Sequence, residues 1–327
     1  CIRDSDLFAR QVYRKGRQDT RAHAEPEELT GERNPMNILE YPRFIRPLIS
    51  VFLCIASIFL SLAGRPTIPH GRELDMSKFE LTWSDEFDGD KLDLTKWDGH
   101  YYSDGDTIIR RGSYWNNSLA TVSDGSLHIA TKYYPDGLNG NGKPGWYTSG
   151  IDTSRSYEQQ YGYFECRCIL PKGTGLWSAF WMFCSGVVKL DHDGELGAEI
   201  DIYESPYYHL EGVDGNSVAS NIHINGYGEE HRTKSVCHSR VTANNPYEEF
   251  NTYGLEWNEK GYIFYINGVE AGRTRFGVSK VPEWMILSVE VDGANGEPAD
   301  GWSGAAVDAE NPPTDFVVDY VRAYQYK

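Results

Sequence analysis

The chain has 327 residues, 40% of them hydrophobic, with 9 Trp, 22 Tyr and 33 Gly; that is enough for one large core or two modest ones, with a texture suited to strands and tight turns rather than helices. The formal net charge of −17, from 31 Lys+Arg against 48 Asp+Glu, repels phosphate backbones and excludes nucleic acid as a natural partner. The same charge disfavours a strongly sulfated polymer unless a local arginine cluster overrides it.

In chain order, residues 1–35 are polar, charged and without an apolar period, and read as a disordered or non-native upstream segment. Residues 36–75 carry Arg43 and Arg46, an apolar run from Pro47 to Gly64, and the small-x-small triplet Ser61, Leu62, Ala63. This predicts a signal peptide cleaved before Gly64 and a secreted or cell-surface protein. A retained membrane anchor is the second reading, since the run approaches the ~20 residues of a span. A start at Met76, giving a cytoplasmic protein, is the third. From residue 76 to 327 the sequence alternates with the period of strands. Phe164, Cys166, Cys168 and Leu170 alternate with Glu165, Arg167 and Ile169. Val218, Ser220, Ile222 and Ile224 alternate with Ala219, Asn221, His223 and Asn225, and Met285, Leu287, Val289 and Val291 with Ile286, Ser288, Glu290 and Asp292. Asn267 and Gly268 mark a hairpin, and residues 315–324 form the last strand. The fold class is all-β, an antiparallel sandwich, and the polar rows suggest that one sheet face lines a groove. Cys166 and Cys168, two residues apart on one strand and about 6.6 Å from each other, are expected to be free buried thiols, as are the others.

The segment Glu199, Ile200, Asp201, Ile202, Tyr203, Glu204 carries the chemistry. Strand alternation puts Glu199 and Asp201 on one face and the isoleucines on the other. Plain period two leaves Glu204 on the isoleucine face, so a one-residue bulge near Tyr203 is needed to return it. The glutamate Cα atoms then lie about 13 Å apart, and inward-reaching side chains bring the carboxylates toward the ~5–5.5 Å of a retaining glycosidase. Crowding raises the proton affinity of at least one carboxyl, which a general acid requires.

This segment resembles the bulged active-site signature of glycoside hydrolase family 16, and the resemblance runs through ordered blocks over roughly residues 79–327. They are Trp83 to Gly89, Tyr161 to Glu165, Pro171 to Trp181 and Asp319 to Tyr324. It implies a concanavalin-like jelly roll with a concave substrate groove. It also implies a retaining mechanism with Glu199 as nucleophile, Glu204 as acid then base, and Asp201 tuning the nucleophile, with no cofactor in the chemistry. Trp177 and Trp181, four apart on one strand face, are expected as sugar platforms, with His223 and Asn116 as contacts to sugar hydroxyls. A structural calcium on the convex side would use the backbone of Glu86 and Gly125 and the Asp319 carboxylate. The implied partner is a polysaccharide, and the protein is expected to be a monomer that meets a membrane only through an N-terminal anchor.

The first substrate choice is a β-1,3- or mixed-linkage β-1,3-1,4-glucan. Leu196, Gly197 and Ala198 stand where glucan-cleaving relatives often carry Trp, and Arg110, Arg111, Arg155 and Arg232 suit a galactan, so an endo-β-galactanase is the alternative. A non-catalytic lectin on the same fold is a third reading, against which the intact carboxylate trio stands.

Overall fold

The computed structural model describes residues 45–62, 65–99 and 107–327; the upstream segment 1–35 lies outside the described residues. Two antiparallel sheets face each other. One runs, in spatial order, Val269–Thr274, Gly261–Ile266, Asn251–Asn258, Gly162–Ile169, Phe316–Tyr326, Ser126–Ile129 and Ala120–Ser123, with Phe79–Asp85 also paired to the Phe316–Tyr326 strand. The second, seven-stranded sheet runs Arg232–Arg240, Ser217–Ile224, Glu199–Glu204, Leu176–Phe183, Trp284–Val291, Gly150–Asp152 and Asp98–Gly99. This is the antiparallel sandwich expected from the alternation.

Each predicted alternating set closes the core from its own sheet. Phe164, Cys166 and Cys168 from the first sheet meet Phe180, Met182, Ile200, Ile222, Leu287 and Val289 from the second, all fully buried. Burying apolar surface at about 25 cal/mol per Å² is the dominant stabilising term for such an interface. The hairpin turns at Asn267 (φ 50) and Gly268 (φ 74), the left-handed pair of a tight two-residue turn. Cys166, Cys168 and Cys184 are buried free thiols, while Cys54 is free and exposed. Burial pushes the Cys166 thiol well above its ordinary value, which leaves it unreactive.

The apolar run forms the helix Arg46–Leu62, and among the described residues no helix is long and apolar enough to cross a membrane. The stretch after it belongs to the sandwich rather than to a free linker. Thr67 bridges Ser239 on the outer strand of one sheet, and Glu73 bridges Val269 on the outer strand of the other. Residues 67–74 thus cover two open sheet edges on the same side of the sandwich, a protection against edge-to-edge association.

Candidate active site

The Glu199–Glu204 strand is irregular where the sequence requires it. On one side Trp181 pairs with Asp201 and Phe180 with Tyr203; on the other, Asn221 pairs with Asp201 and Ala219 with Glu204. Both neighbours skip a residue after Asp201, which is a one-residue bulge at Ile202–Tyr203. The core drives it. Ile202 and Tyr203 are consecutive yet both buried in the interior cluster, where the Tyr203 ring lies 4.3 Å from that of Tyr253. Two successive inward residues return the next one, Glu204, to the face of Glu199 and Asp201.

The entry to this strand is fixed just as tightly. Gly197 has φ 144, and a Cβ there would lie 2.3 Å from Cys184 Sγ, so the chain passes close beneath residues 184–187. The Ala198 N–H donates to Glu283 Oε1 at 3.0 Å. Burial pushes the Glu283 carboxyl up to about 8, so a neutral acid anchors the residue before Glu199.

On the outward face Asp201 is 4% exposed, and its Oδ2 lies 3.3 Å from His223 Nε2. Donor atoms of Glu199, Asp201 and His223 all fall within 4.8 Å of one another. Asn221 Nδ2 donates to Glu204 Oε2 at 2.8 Å, and the Tyr227 hydroxyl donates to Glu199 Oε2. Burial, then the charge of Glu199, pushes Asp201 up to about 6. Burial, then the charge of Asp201, pushes Glu204 up to about 8. Burial alone would lower His223, but the hydrogen bond to Asp201 and the surrounding carboxylates outweigh it and push His223 up to about 9. A carboxyl raised in this direction has the property a general acid needs near neutral pH.

That shift carries a stability consequence with a definite sign. A carboxyl whose folded value lies above its ordinary 4.5 favours the folded state fully below 4.5, and this contribution is lost as pH rises through about 8. Glu204→Gln is expected to melt close to wild type at pH 4 and increasingly above it through pH 8. Thermal melts across that range check it, and a pH-independent difference would contradict it.

Of the predicted sugar contacts, His223 is in place beside Asp201. Trp177 and Trp181 share the outward face as their spacing requires, but they are floor rather than exposed platform, at 3% and 5% exposure. The Arg111 guanidinium lies 5.0 Å over the Trp177 ring, Trp302 meets that ring edge-on at 5.0 Å, and Trp181 Nε1 donates to Ser288 Oγ at 3.0 Å. The half-buried ring above this floor is Trp302. Asn116 is corrected from a sugar contact to a structural residue. It is 4% exposed, its Oδ1 accepts from the Ser118 N–H at 3.0 Å and its Nδ2 donates to Thr107 Oγ1 at 2.9 Å, so it caps a short 3-10 turn.

The one side chain in the implied calcium set is already paired. Arg167 Nη1 sits 2.5 Å from Asp319 Oδ2. The other two implied ligands are backbone oxygens of Glu86 and Gly125, and no step is derived through calcium. Tyr227, His231 and Trp302 were missed in the sequence, since each reaches the site from a connecting segment and carries no periodic signal.

Residues 79–326 match the family model described as the GH16 domain of β-porphyranases A–D. The endo-1,3-1,4-β-glycanase EglC of Rhizobium meliloti is 31% identical over 206 residues, covering 62% of this chain and 39% of that protein. ExsH, an endo-1,3-1,4-β-glycanase of the same organism, is 29% identical, covering 77% of this chain and 53% of its own; the chain thus spans about half the length, or less, of these relatives. The structure of SCLam, a non-specific endo-β-1,3(4)-glucanase from family GH16, superposes with TM-score 0.62 at 25% identity, over 82% of this chain and 99% of that one. The six-residue bulged strand, the sandwich that carries it and the match across residues 79–326 make this chain a member of glycoside hydrolase family 16.

Proposed function

We propose that the sandwich is an endo-acting, retaining β-glycoside hydrolase of a polysaccharide. Glu199 attacks the anomeric carbon and forms a glycosyl-enzyme ester while Glu204 gives its proton to the departing glycosidic oxygen. Glu204, now a carboxylate, then takes a proton from water, which attacks the same carbon and releases Glu199. Asp201, between them and bonded to His223, keeps the nucleophile's surroundings anionic and holds Glu204 protonated. The observation that carries this reading is the bulge that places Glu199 and Glu204 on one face while keeping Ile202 and Tyr203 in the core. A lectin has no use for three carboxylates crowded at such electrostatic cost.

The preferred substrate is a β-1,3- or mixed-linkage glucan, because none of the four arginines that would suit an anionic polymer presents a bare guanidinium. Arg110 bonds Glu290 through two nitrogens, at 2.7 to 3.0 Å. Arg111 lies 3.5 Å from Glu290, Arg155 pairs with Asp98, and Arg232 bonds the His192 carbonyl. A β-galactan is the second reading, favoured by the porphyranase domain match and by the small residues 197–198 ahead of Glu199. A polymer too large to enter a cell also fits export directed by residues 36–64. Purified protein incubated with laminarin, lichenan, agarose, porphyran and galactan is expected to release reducing ends, as a ladder of oligosaccharides, from laminarin or lichenan first. Release from a galactan alone would move the assignment to the second reading, and release from none would sink both.

A further inference from the structure

After the Ser217–Ile224 strand the chain holds two left-handed residues in succession, Asn225 (φ 66) and Gly226 (φ 67), a conformation natural to Asn and Gly. The turn is tied to the segment that leads into the catalytic strand. Asn225 Oδ1 accepts from the His192 N–H at 3.1 Å, its Nδ2 donates to the Glu230 carbonyl at 3.2 Å, and the Gly226 N–H donates to the Val187 carbonyl at 2.7 Å. Asn225 is 7% exposed, so this knot is built in rather than loose. It sends the chain back over the outward face and delivers two side chains to the carboxylates. The Tyr227 hydroxyl donates to Glu199 Oε2, and its ring packs against the apolar cluster of Phe183 and Val187. The His231 ring lies parallel to that of His223, 5.1 Å between centroids and 3° between planes, with its Nε2 2.9 Å from His223 Nδ1.

We infer that Tyr227 is a positioning residue for the nucleophile, clamping one oxygen of Glu199 so that the other faces the substrate, with His231 fixing His223 behind Asp201 in the same way. The inference rests on Glu199 being the nucleophile. A phenol donating to a carboxylate stabilises its ionised form and removes its rotamer freedom. Both effects act on glycosylation, the step in which Glu199 attacks, and neither requires contact with the distal sugars. Among the described residues, the charged and titratable groups around Glu199 are Asp201 and Glu204 on its own strand, His223 on the neighbouring strand, His231 on the loop, and Glu283 ahead of the Trp284–Val291 strand. Tyr227→Phe keeps all of them and the ring's packing, and deletes only the hydroxyl.

Tyr227→Phe is expected to lower kcat by about 10- to 100-fold, the usual loss for one hydrogen bond to a charged group, with KM within about twofold and the melting temperature unchanged. Labelling of Glu199 by an activated 2-deoxy-2-fluoro glycoside, followed by intact mass, is expected to slow by the same factor. Labelling at the wild-type rate overturns the inference, as does a loss of activity matched by a fall in melting temperature. A Glu199→Gln variant that hydrolyses polymer at the wild-type rate would instead sink the proposed mechanism, so the two failures are distinguishable.

Discussion

Glu199→Ala is expected to lower turnover by about 100,000-fold while the protein stays folded, because a missing nucleophile removes the covalent route and leaves only binding and electrostatics. Glu204→Ala is expected to lose about 100- to 10,000-fold on polymer, the range for one general acid–base group. That second loss should shrink on an aryl glycoside whose leaving group departs without a proton, whereas the Glu199 loss should not. The asymmetry follows from the two environments. Glu199 accepts the Tyr227 hydroxyl, while Glu204 is pushed up to about 8 by burial and by Asp201. Steady-state kinetics on both substrate types, with melting curves to exclude misfolding, separate the roles.

The second large effect concerns the bulge. Deleting Ile202 removes the extra residue and leaves Glu199, Asp201 and Glu204 on one face in plain alternation. Deleting Ile200 removes a residue of the regular alternation and turns Glu199 toward the interior, since a one-residue slip reverses every side chain on its side of the change. We expect the Ile202 deletion to stay within about 100-fold of wild-type activity, the scale of a small misplacement of catalytic groups. It should still lose roughly 2–5 kcal/mol of stability from the emptied core position. The Ile200 deletion is expected to fall to the level of Glu199→Ala. Equal activities in the two variants would mean that strand register does not place the carboxylates.

The fold was legible because alternation is a local property: Phe164, Cys166 and Cys168, or Met285, Leu287 and Val289, announce a buried face without knowledge of partners. The bulge was legible for a related reason, since six residues with acids at the first, third and sixth positions cannot all face one way on a regular strand. What connecting segments deliver was not. Tyr227 and His231 reach Glu199 and His223 only because Asn225 and Gly226 reverse the chain, and Trp302 lies over Trp177 from 125 positions away in sequence. Spacing placed Trp177 and Trp181 on the correct face but could not tell a covered floor from a platform. Asn116 misled because an Asn in a loop reads the same whether it faces sugar or caps a turn. Its 3.0 Å bond from the Ser118 N–H decides for the cap.

The assignment of two roles to two glutamates is tested most directly by the anomeric configuration of azide products. With an activated aryl β-oligosaccharide and sodium azide, Glu199→Ala should yield the α-glycosyl azide, formed in one displacement through the space the nucleophile leaves. Glu204→Ala should yield the β-glycosyl azide, formed from the covalent intermediate. Proton NMR coupling constants distinguish them, and the opposite pairing, or no azide adduct from either variant, would contradict the account.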